Sequence, residues 1–120
     1  MYWPDAREGP GHSEVYEPSG IKVSVVNTES KGCIVLTQLS MEWKGETRRL
    51  AHVHFTAWPD HGVPEGTKDI VTLVDFIRRH RQQNKQDGPM VMHCSAGVGR
   101  TGVVMGIDIC LDQVWFWLVG

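Results

Sequence analysis

The sequence of 120 residues has few cysteines and no large excess of charge of either sign. Its three cysteines, Cys33, Cys94 and Cys110, form no C-x-x-C pair, which favours a reducing compartment over a disulfide scaffold. The net charge of −2 gives no basic surface for nucleic acid or an anionic membrane. These features argue against a secreted disulfide-rich protein and against a nucleic-acid-binding protein.

Long hydrophobic runs and targeting signals are also missing. The longest apolar run covers residues 114–119, whereas a membrane-spanning helix needs about 20 apolar residues. The N-terminus has no basic stretch followed by an apolar one, so we predict no signal peptide. The hydrophobic content of 41% is ordinary for a globular protein. We therefore expect a soluble chain with at most one domain and no membrane span.

The first half of the sequence predicts strands. Residues 4–20 are rich in Pro, Gly, Glu and Ser and predict an irregular segment. β-branched and apolar residues predict strands at residues 21–26, 33–39 and 50–55, with polar turns at residues 27–31 and 44–46. In the last of these strands Ala51, Val53 and Phe55 alternate with His52 and His54, so the two sets are expected on opposite faces.

The second half predicts helices around one short strand. Residues 58–66 contain two prolines and two glycines and predict a loop. Apolar residues at helical spacing predict a helix from an N-cap at Thr67 to about Gln83. Residues 90–92 predict a short apolar strand, and the spacing that starts at Val103 predicts a second helix. Alternation of strands and helices indicates an α/β fold with a mixed, twisted sheet flanked by helices.

Residues 93–101, HCSAGVGRT, join the predicted strand to the second helix. Backbone N–H groups of such a loop, together with the helix N-terminus, can bind an anion. Gly97 and Gly99 permit the backbone angles that a tight loop requires. The planar guanidinium of Arg100 suits two phosphate oxygens at once. The segment therefore predicts a phosphate-binding loop.

Cys94 lies at the start of this loop. The positive surroundings are expected to lower the pKa of its thiol and to hold a thiolate at neutral pH. A thiolate below a bound phosphate can attack phosphorus and form a phosphocysteine intermediate. Thr101 or Ser95 could hydrogen-bond the thiolate or help to expel it, and His93 is expected to orient the loop. A lone cysteine in front of a helix is usually inert packing, but the spacing to Arg100 and Thr101 favours catalysis.

Residues 93–102, HCSAGVGRTG, resemble the signature loop of the cysteine-based protein tyrosine phosphatases. Residues 58–64, WPDHGVP, resemble the mobile acid loop of that family, and residues 2–4, YWP, resemble a further landmark. The sequence FTAWPDHGVP at residues 55–64 is most similar to the receptor-type branch. The likeness extends from residue 2 to about residue 113. Residues 1–120 are thus interpreted as a partial, incomplete phosphatase catalytic domain with a divergent tail at residues 114–120.

The resemblance implies hydrolysis of phosphotyrosine in proteins through a phosphocysteine intermediate, with no metal and no other cofactor. Asp60 would be the general acid and then the base that activates water. Trp58, followed by Pro59, would anchor the hinge of the acid loop. The phosphate would be bound by Ser95, Ala96, Gly97, Val98, Gly99 and Arg100. The implied partners are phosphotyrosine-containing proteins in signalling, and the implied location is the cytoplasm, including the cytoplasmic part of a receptor-type membrane protein.

Other interpretations stay open. The family has a tyrosine that stacks on the substrate ring, a glutamate that pairs with the signature arginine and a glutamine that positions water, and none has a counterpart in residues 1–120. The chain could therefore be a catalytically incompetent fragment that binds phosphate or a partner, with weak folding and an aggregation-prone tail. A dual-specificity or small-molecule phosphatase with the same loop is a third interpretation.

The remaining reactive side chains are interpreted as structural. Cys33, in a predicted strand, and Cys110, on a helix, are expected in the core. His52 and His54 could suggest a metal pair, but no third ligand is evident, so a solvated strand face is favoured. The cations of residues 78–81 suit the C-terminal end of the first helix.

Overall fold

The computed structural model describes residues 3–58, 62, 66–84, 88–95 and 98–119. The chain divides into two compact units, Met1–Val63 and Pro64–Gly120. The first unit contains the described sheet and a short 3-10 helix, and the second contains two described α-helices. The predicted α/β combination of a sheet with helices is confirmed.

The first unit is built on a four-stranded sheet with the order β1-β2-β3-β4. Its strands are β1 Ser13–Tyr16, β2 Ile21–Lys31, β3 Ile34–Trp43 and β4 Glu46–Phe55, preceded by a short 3-10 helix at Ala6–Glu8. Each strand pairs antiparallel with the next one in sequence. The described sheet is thus a series of hairpins.

Two tight turns determine the register of the longer strands. In the β2–β3 turn Gly32 has φ of 58°, and Lys31 pairs with Ile34 on either side. In the β3–β4 turn Lys44 and Gly45 have φ of 48° and 82°. Positive φ is typical of two-residue hairpin turns. The turn predicted at residues 44–46 is confirmed.

Three predictions for the sheet are wrong. Residues 27–31 are not a turn but the end of β2, because Gly32 supplies the positive φ that reverses the chain. Cys33 consequently lies in that turn and not in a strand. Residues 4–20 are not irregular throughout, since residues 13–16 form β1 against β2.

One face of the sheet contains most of its buried side chains. Val25 lies opposite Leu39, and Thr37 lies between Thr28 and His52 on the neighbouring strands. Val25, Thr37 and Leu39 are buried. Because paired residues share a face, His52 belongs to this face, while Ala51 lies opposite Gln38 on the other. The predicted alternation in β4 is confirmed.

The second unit contains α1 at Thr67–Gln83 and α2 at Arg100–Val119. The predicted end of α1 at Gln83 is confirmed, and its N-cap is Gly66, one residue before the predicted Thr67. Among the described residues of this unit, the buried apolar ones are Leu73, Val74, Ile77 and Val104. Neither described helix has the length and apolar content of a membrane span.

Two predictions for the second unit are wrong. Residues 90–92 form no strand, because a strand requires a hydrogen-bonded neighbour and none of the described strands pairs with this segment. Val91 is 86% exposed. Cys110 is exposed and not in the core. The sequence of α2 has apolar residues all around the helical period, so the apolar pattern could not identify the buried face of this helix.

Candidate active site

The predicted phosphate-binding loop precedes the N-terminus of α2. Arg100 is the first residue of this helix, and the N–H of Val103 donates to the carbonyl oxygen of Gly99 at 3.1 Å. Helical hydrogen bonding therefore starts at Gly99. N–H groups at such a start point away from the helix body and suit a bound anion.

Cys94 is half-buried at the other end of the same loop. Nδ1 of His93 lies 3.1 Å from the carbonyl oxygen of Cys94. A protonated Nδ1 would donate a hydrogen bond there and hold the backbone at the cysteine. The orienting role of His93 stays a prediction.

Thr101 combines burial with an unused hydroxyl. The residue is only 8% exposed, and its Oγ1 has no hydrogen-bond partner among the described residues. A buried hydroxyl without a partner costs about 1–3 kcal/mol. This cost is expected where a hydroxyl serves a ligand or a reacting group.

Three described residues of the loop are open to solvent. Ser95 and Gly99 are exposed, and Val98 is 77% exposed. The predicted binding residues Ala96 and Gly97 lie outside the described residues.

The predicted acid loop is described only in part. Trp58 is half-buried, and its Nε1 donates to the carbonyl oxygen of Gly62 at 3.3 Å. This hydrogen bond connects two positions of the loop that should close over substrate. The predicted acid Asp60 and its neighbour Pro59 lie outside the described residues.

An ion-pair network that was not predicted from the sequence joins the two helices. Nη1 of Arg78 in α1 donates to both the carbonyl oxygen and Oδ1 of Asp108 in α2, each at 3.1 Å. Nη2 of Arg78 donates to Oδ1 of Asp112, and Arg81 lies 3.5 Å from Oδ2 of Asp108. The available signal was the pair of aspartates one turn apart in an otherwise apolar helix.

Two acidic groups of the first unit have shifted pKa values. The side-chain hydrogen bond from Arg7, followed by one from the Arg7 backbone, lowers the pKa of Asp5 from 3.8 to about 2. Burial raises the pKa of Tyr16, and its hydrogen bond to Glu14 adds to the effect.

No cluster of three or more His, Cys, Asp or Glu side chains suited to a metal occurs among the described residues. His52 and His54 have ring centroids 6.2 Å apart, and Trp3 packs against His52 with a centroid distance of 4.3 Å. His52 therefore packs against an aromatic ring instead of lying on a fully solvated face.

The chain belongs to the protein-tyrosine phosphatase family, whose sequence model matches residues 1–115. It is 38% identical over 114 residues to tyrosine-protein phosphatase non-receptor type 2 of Rattus norvegicus, and 36% identical to the Homo sapiens protein of that name. Each alignment covers 92% of this chain and 26% of the relative. Tyrosine-protein phosphatase corkscrew of Drosophila melanogaster is 34% identical over 118 residues, which cover 94% of this chain and 13% of corkscrew.

The chain thus spans about a quarter of the length of the first two relatives. Membership of the phosphatase family confirms the resemblance stated from the signature and acid loops. The first two relatives are named as non-receptor type, so the likeness to the receptor-type branch stays a prediction.

Proposed function

We propose that this chain hydrolyses phosphotyrosine in proteins through a phosphocysteine intermediate on Cys94. The observation that carries the proposal is the start of α2 at Arg100, directly after a loop that begins with the half-buried Cys94. A helix N-terminus and a guanidinium at one position suit a phosphate dianion. Family membership supports the same chemistry.

The proposed reaction has two steps. In the first, Sγ of Cys94 attacks phosphorus, and the bond from phosphorus to the tyrosyl oxygen breaks while Asp60 donates its proton to that oxygen. In the second, water attacks phosphorus, Asp60 accepts the proton, and the S–P bond breaks to release phosphate. The N–H groups of the loop and Arg100 stabilise the charge on the phosphoryl oxygens in both steps.

The surrounding residues have supporting roles in this proposal. Thr101, whose Oγ1 has no partner among the described residues, would donate to the thiolate as it leaves, with Ser95 as the alternative donor. His93 would fix the backbone at Cys94, and Trp58 with Pro59 would anchor the acid loop. The backbone of Ala96, Gly97, Val98 and Gly99 would bind the phosphate oxygens. The proposed route uses no metal or organic cofactor.

Phosphate binding without turnover is the second candidate. Val98 is 77% exposed, and residues 90–92, which lead into Cys94, are not paired in a strand. Catalysis requires a near-attack geometry, and a misplacement of about 1 Å can cost roughly 100-fold in rate. A loop with this little support could bind an anion without aligning the thiolate for attack.

We further propose phosphotyrosine-containing proteins of cytoplasmic signalling as the partners. The same assay tests this substrate class against its alternative. Turnover of a phosphotyrosine peptide with none of a phosphothreonine peptide supports the tyrosine-specific function. Equal turnover of both would favour a dual-specificity phosphatase.

The test of the site combines turnover with thiol labelling. Wild-type protein should hydrolyse a phosphotyrosine peptide, and Cys94→Ser should not, because a neutral hydroxyl without a base is a poor nucleophile. Vanadate should protect Cys94 from iodoacetamide, while labelling of Cys33 and Cys110 serves as the internal control. Protection without turnover would favour the second candidate. If the wild-type protein shows neither turnover nor vanadate protection, both phosphotyrosine hydrolysis and phosphate binding without turnover are contradicted.

The role of Asp60 is tested separately. Asp60→Ala should slow peptide turnover by roughly 10²- to 10⁴-fold, the usual contribution of general acid–base catalysis, and should leave vanadate protection of Cys94 intact. Asp69→Ala is the matched control, because Asp69 is an exposed carboxylate in the first turn of α1. Wild-type turnover by Asp60→Ala would remove Asp60 from the mechanism.

A further inference from the structure

Arg78 binds the backbone of α2 as well as its side chains. Its Nη1 donates to the main-chain carbonyl oxygen of Asp108 and to Oδ1 of the same residue, and its Nη2 donates to Asp112. The Arg78 side chain is 25% exposed and that of Asp108 is 15% exposed. A planar guanidinium with three acceptors is a directional contact, so it restricts rotation of α2 as well as its distance from α1.

Asp108 shares one face of α2 with a residue of the candidate site. Positions 101, 104 and 108 follow helical spacing, so Thr101, Val104 and Asp108 form one stripe. Thr101 and Val104 are buried. Seven residues separate Thr101 from Asp108, which is two turns or about 10 Å along the axis. A rotation fixed at Asp108 is therefore transmitted through a continuous helix to Thr101 and Arg100.

The chain on the other side of the loop also passes close to Asp108. A cavity of about 190 Å³ is lined by Met90 and Met92, which precede Cys94, and by Met105, Asp108 and Ile109 of α2. Asp108, in the helix that follows the loop, thus lines the same cavity as the segment that precedes the loop.

We propose that Arg78 is a positioning residue for the phosphate-binding loop: through Asp108 it fixes the rotation of α2 and so the direction of Arg100 and Thr101. This inference rests on the proposed function. A side-chain tip lies about 5–6 Å from the helix axis, so a rotation of about 20° would move it by about 2 Å. A displacement of that size is large compared with the roughly 1 Å that already impairs catalytic alignment.

The neighbouring Arg79 is the matched control. It pairs with Asp75 one turn away on the same helix, with Nη2 to Oδ2 at 2.9 Å. Arg79→Ala therefore removes the same side chain from the same part of α1 without removing the contacts to Asp108 and Asp112.

The experiment measures the orthovanadate concentration that half-protects Cys94 from iodoacetamide in the full chain, well below the melting temperature. Arg78→Ala should raise this concentration by roughly 10- to 100-fold. Arg78→Lys should raise it by less, since an ammonium keeps the charge but not the fork of donors. Arg79→Ala should leave it unchanged. The labelling rate of Cys110, exposed on α2, is the internal control for the reactivity of iodoacetamide, and far-ultraviolet circular dichroism reports whether the helices are intact.

A purely structural role would lower the melting temperature and leave the half-protecting concentration of folded protein unchanged, which would overturn the proposal. If Arg78→Ala does not fold, the same measurement is made on Arg78→Lys and Asp112→Asn. An unchanged half-protecting vanadate concentration in both variants would also overturn the proposal. Absence of vanadate protection in the wild type would contradict the proposed function and this inference together. Normal protection in the wild type with no effect at Arg78 would contradict this inference alone.

Discussion

At the scale of single residues, two threonine hydroxyls are buried without a hydrogen-bond partner among the described residues: Oγ1 of Thr28 in β2 and Oγ1 of Thr101 in α2. Only Thr101 lies beside the loop of Cys94. A comparison of Thr101 with Thr28 therefore compares a buried hydroxyl that has a proposed chemical role with one that has none.

Thr101→Val should stabilise the chain by about 1 kcal/mol, because an isosteric methyl group removes the desolvated hydroxyl, and should slow turnover of a phosphotyrosine peptide. Thr28→Val should bring a similar gain in the free energy of unfolding with unchanged turnover. Urea unfolding and peptide hydrolysis measure the two effects. Unchanged turnover by a stabilised Thr101→Val would exclude Thr101 from the reaction.

Asp5 gives a prediction of pH dependence. Its pKa is lowered from 3.8 to about 2, chiefly by the Arg7 side chain, so this pair favours the folded state fully above pH 4 and progressively less as the pH falls through about 2. Arg7→Ala should return the titration midpoint of the Asp5 carboxyl towards 3.8. Carboxyl carbon shifts in NMR spectra measure that midpoint, and equal midpoints with and without Arg7 would contradict the assignment.

At the scale of elements, the β3–β4 turn depends on two residues with positive φ. Gly45, with φ of 82°, has open space where a Cβ would lie, so Gly45→Ala should cost about 1–2 kcal/mol through backbone conformation alone. Lys44→Gly should change stability by less than about 1 kcal/mol. Relief of its positive φ is offset by loss of its cation–π contact with Trp43, at 4.5 Å.

Hydrogen exchange at the amides of β3 and β4 measures both effects, because it reports the local free energy of opening even when two units unfold separately. An equal cost for Gly45→Ala and Lys44→Gly would show that the turn does not have the described geometry.

Periodic elements could be predicted from the sequence, and contacts between distant residues could not. The apolar spacing of α1 gave its C-terminal end at Gln83, since a helix is determined by residues three and four apart. The segment at residues 90–92 has the composition of a strand, but pairing depends on a neighbour elsewhere in the chain. Arg78 and Asp108 lie 30 residues apart. From the local sequence, Arg78 could be interpreted only as a cation that suits the C-terminal end of the α1 dipole.

The candidate site shows the same division. The positions of Cys94, Arg100 and Thr101 relative to a helix start follow from a glycine-containing loop and a helical pattern that are adjacent in sequence. The unpartnered state of Thr101 Oγ1 could not be predicted, because it depends on which groups pack around the first turn of α2.

At the scale of the whole molecule, α2 presents much apolar surface. Val114, Trp117 and Leu118 are exposed, Leu118 to 76%. Exposed apolar patches promote association, and a net charge of −2 gives little repulsion against it.

Leu118→Lys should therefore lower concentration-dependent light scattering of the chain. Val71→Lys is the control, since Val71 is an exposed valine on α1 next to the exposed polar Thr72. A lone exposed apolar residue contributes little to association. Scattering that falls equally with both substitutions would point to net charge rather than to the patch on α2.

The order of strands has a consequence for synthesis of the protein. Each described strand pairs with the next in sequence, and all four lie between Ser13 and Phe55. At about 5–20 residues per second, a ribosome needs roughly 2–8 s to translate the segment between the end of β4 at Phe55 and Cys94, whereas a hairpin forms in about 1–10 μs. The hairpins can thus form on the nascent chain before the codons for Cys94 and Arg100 are read.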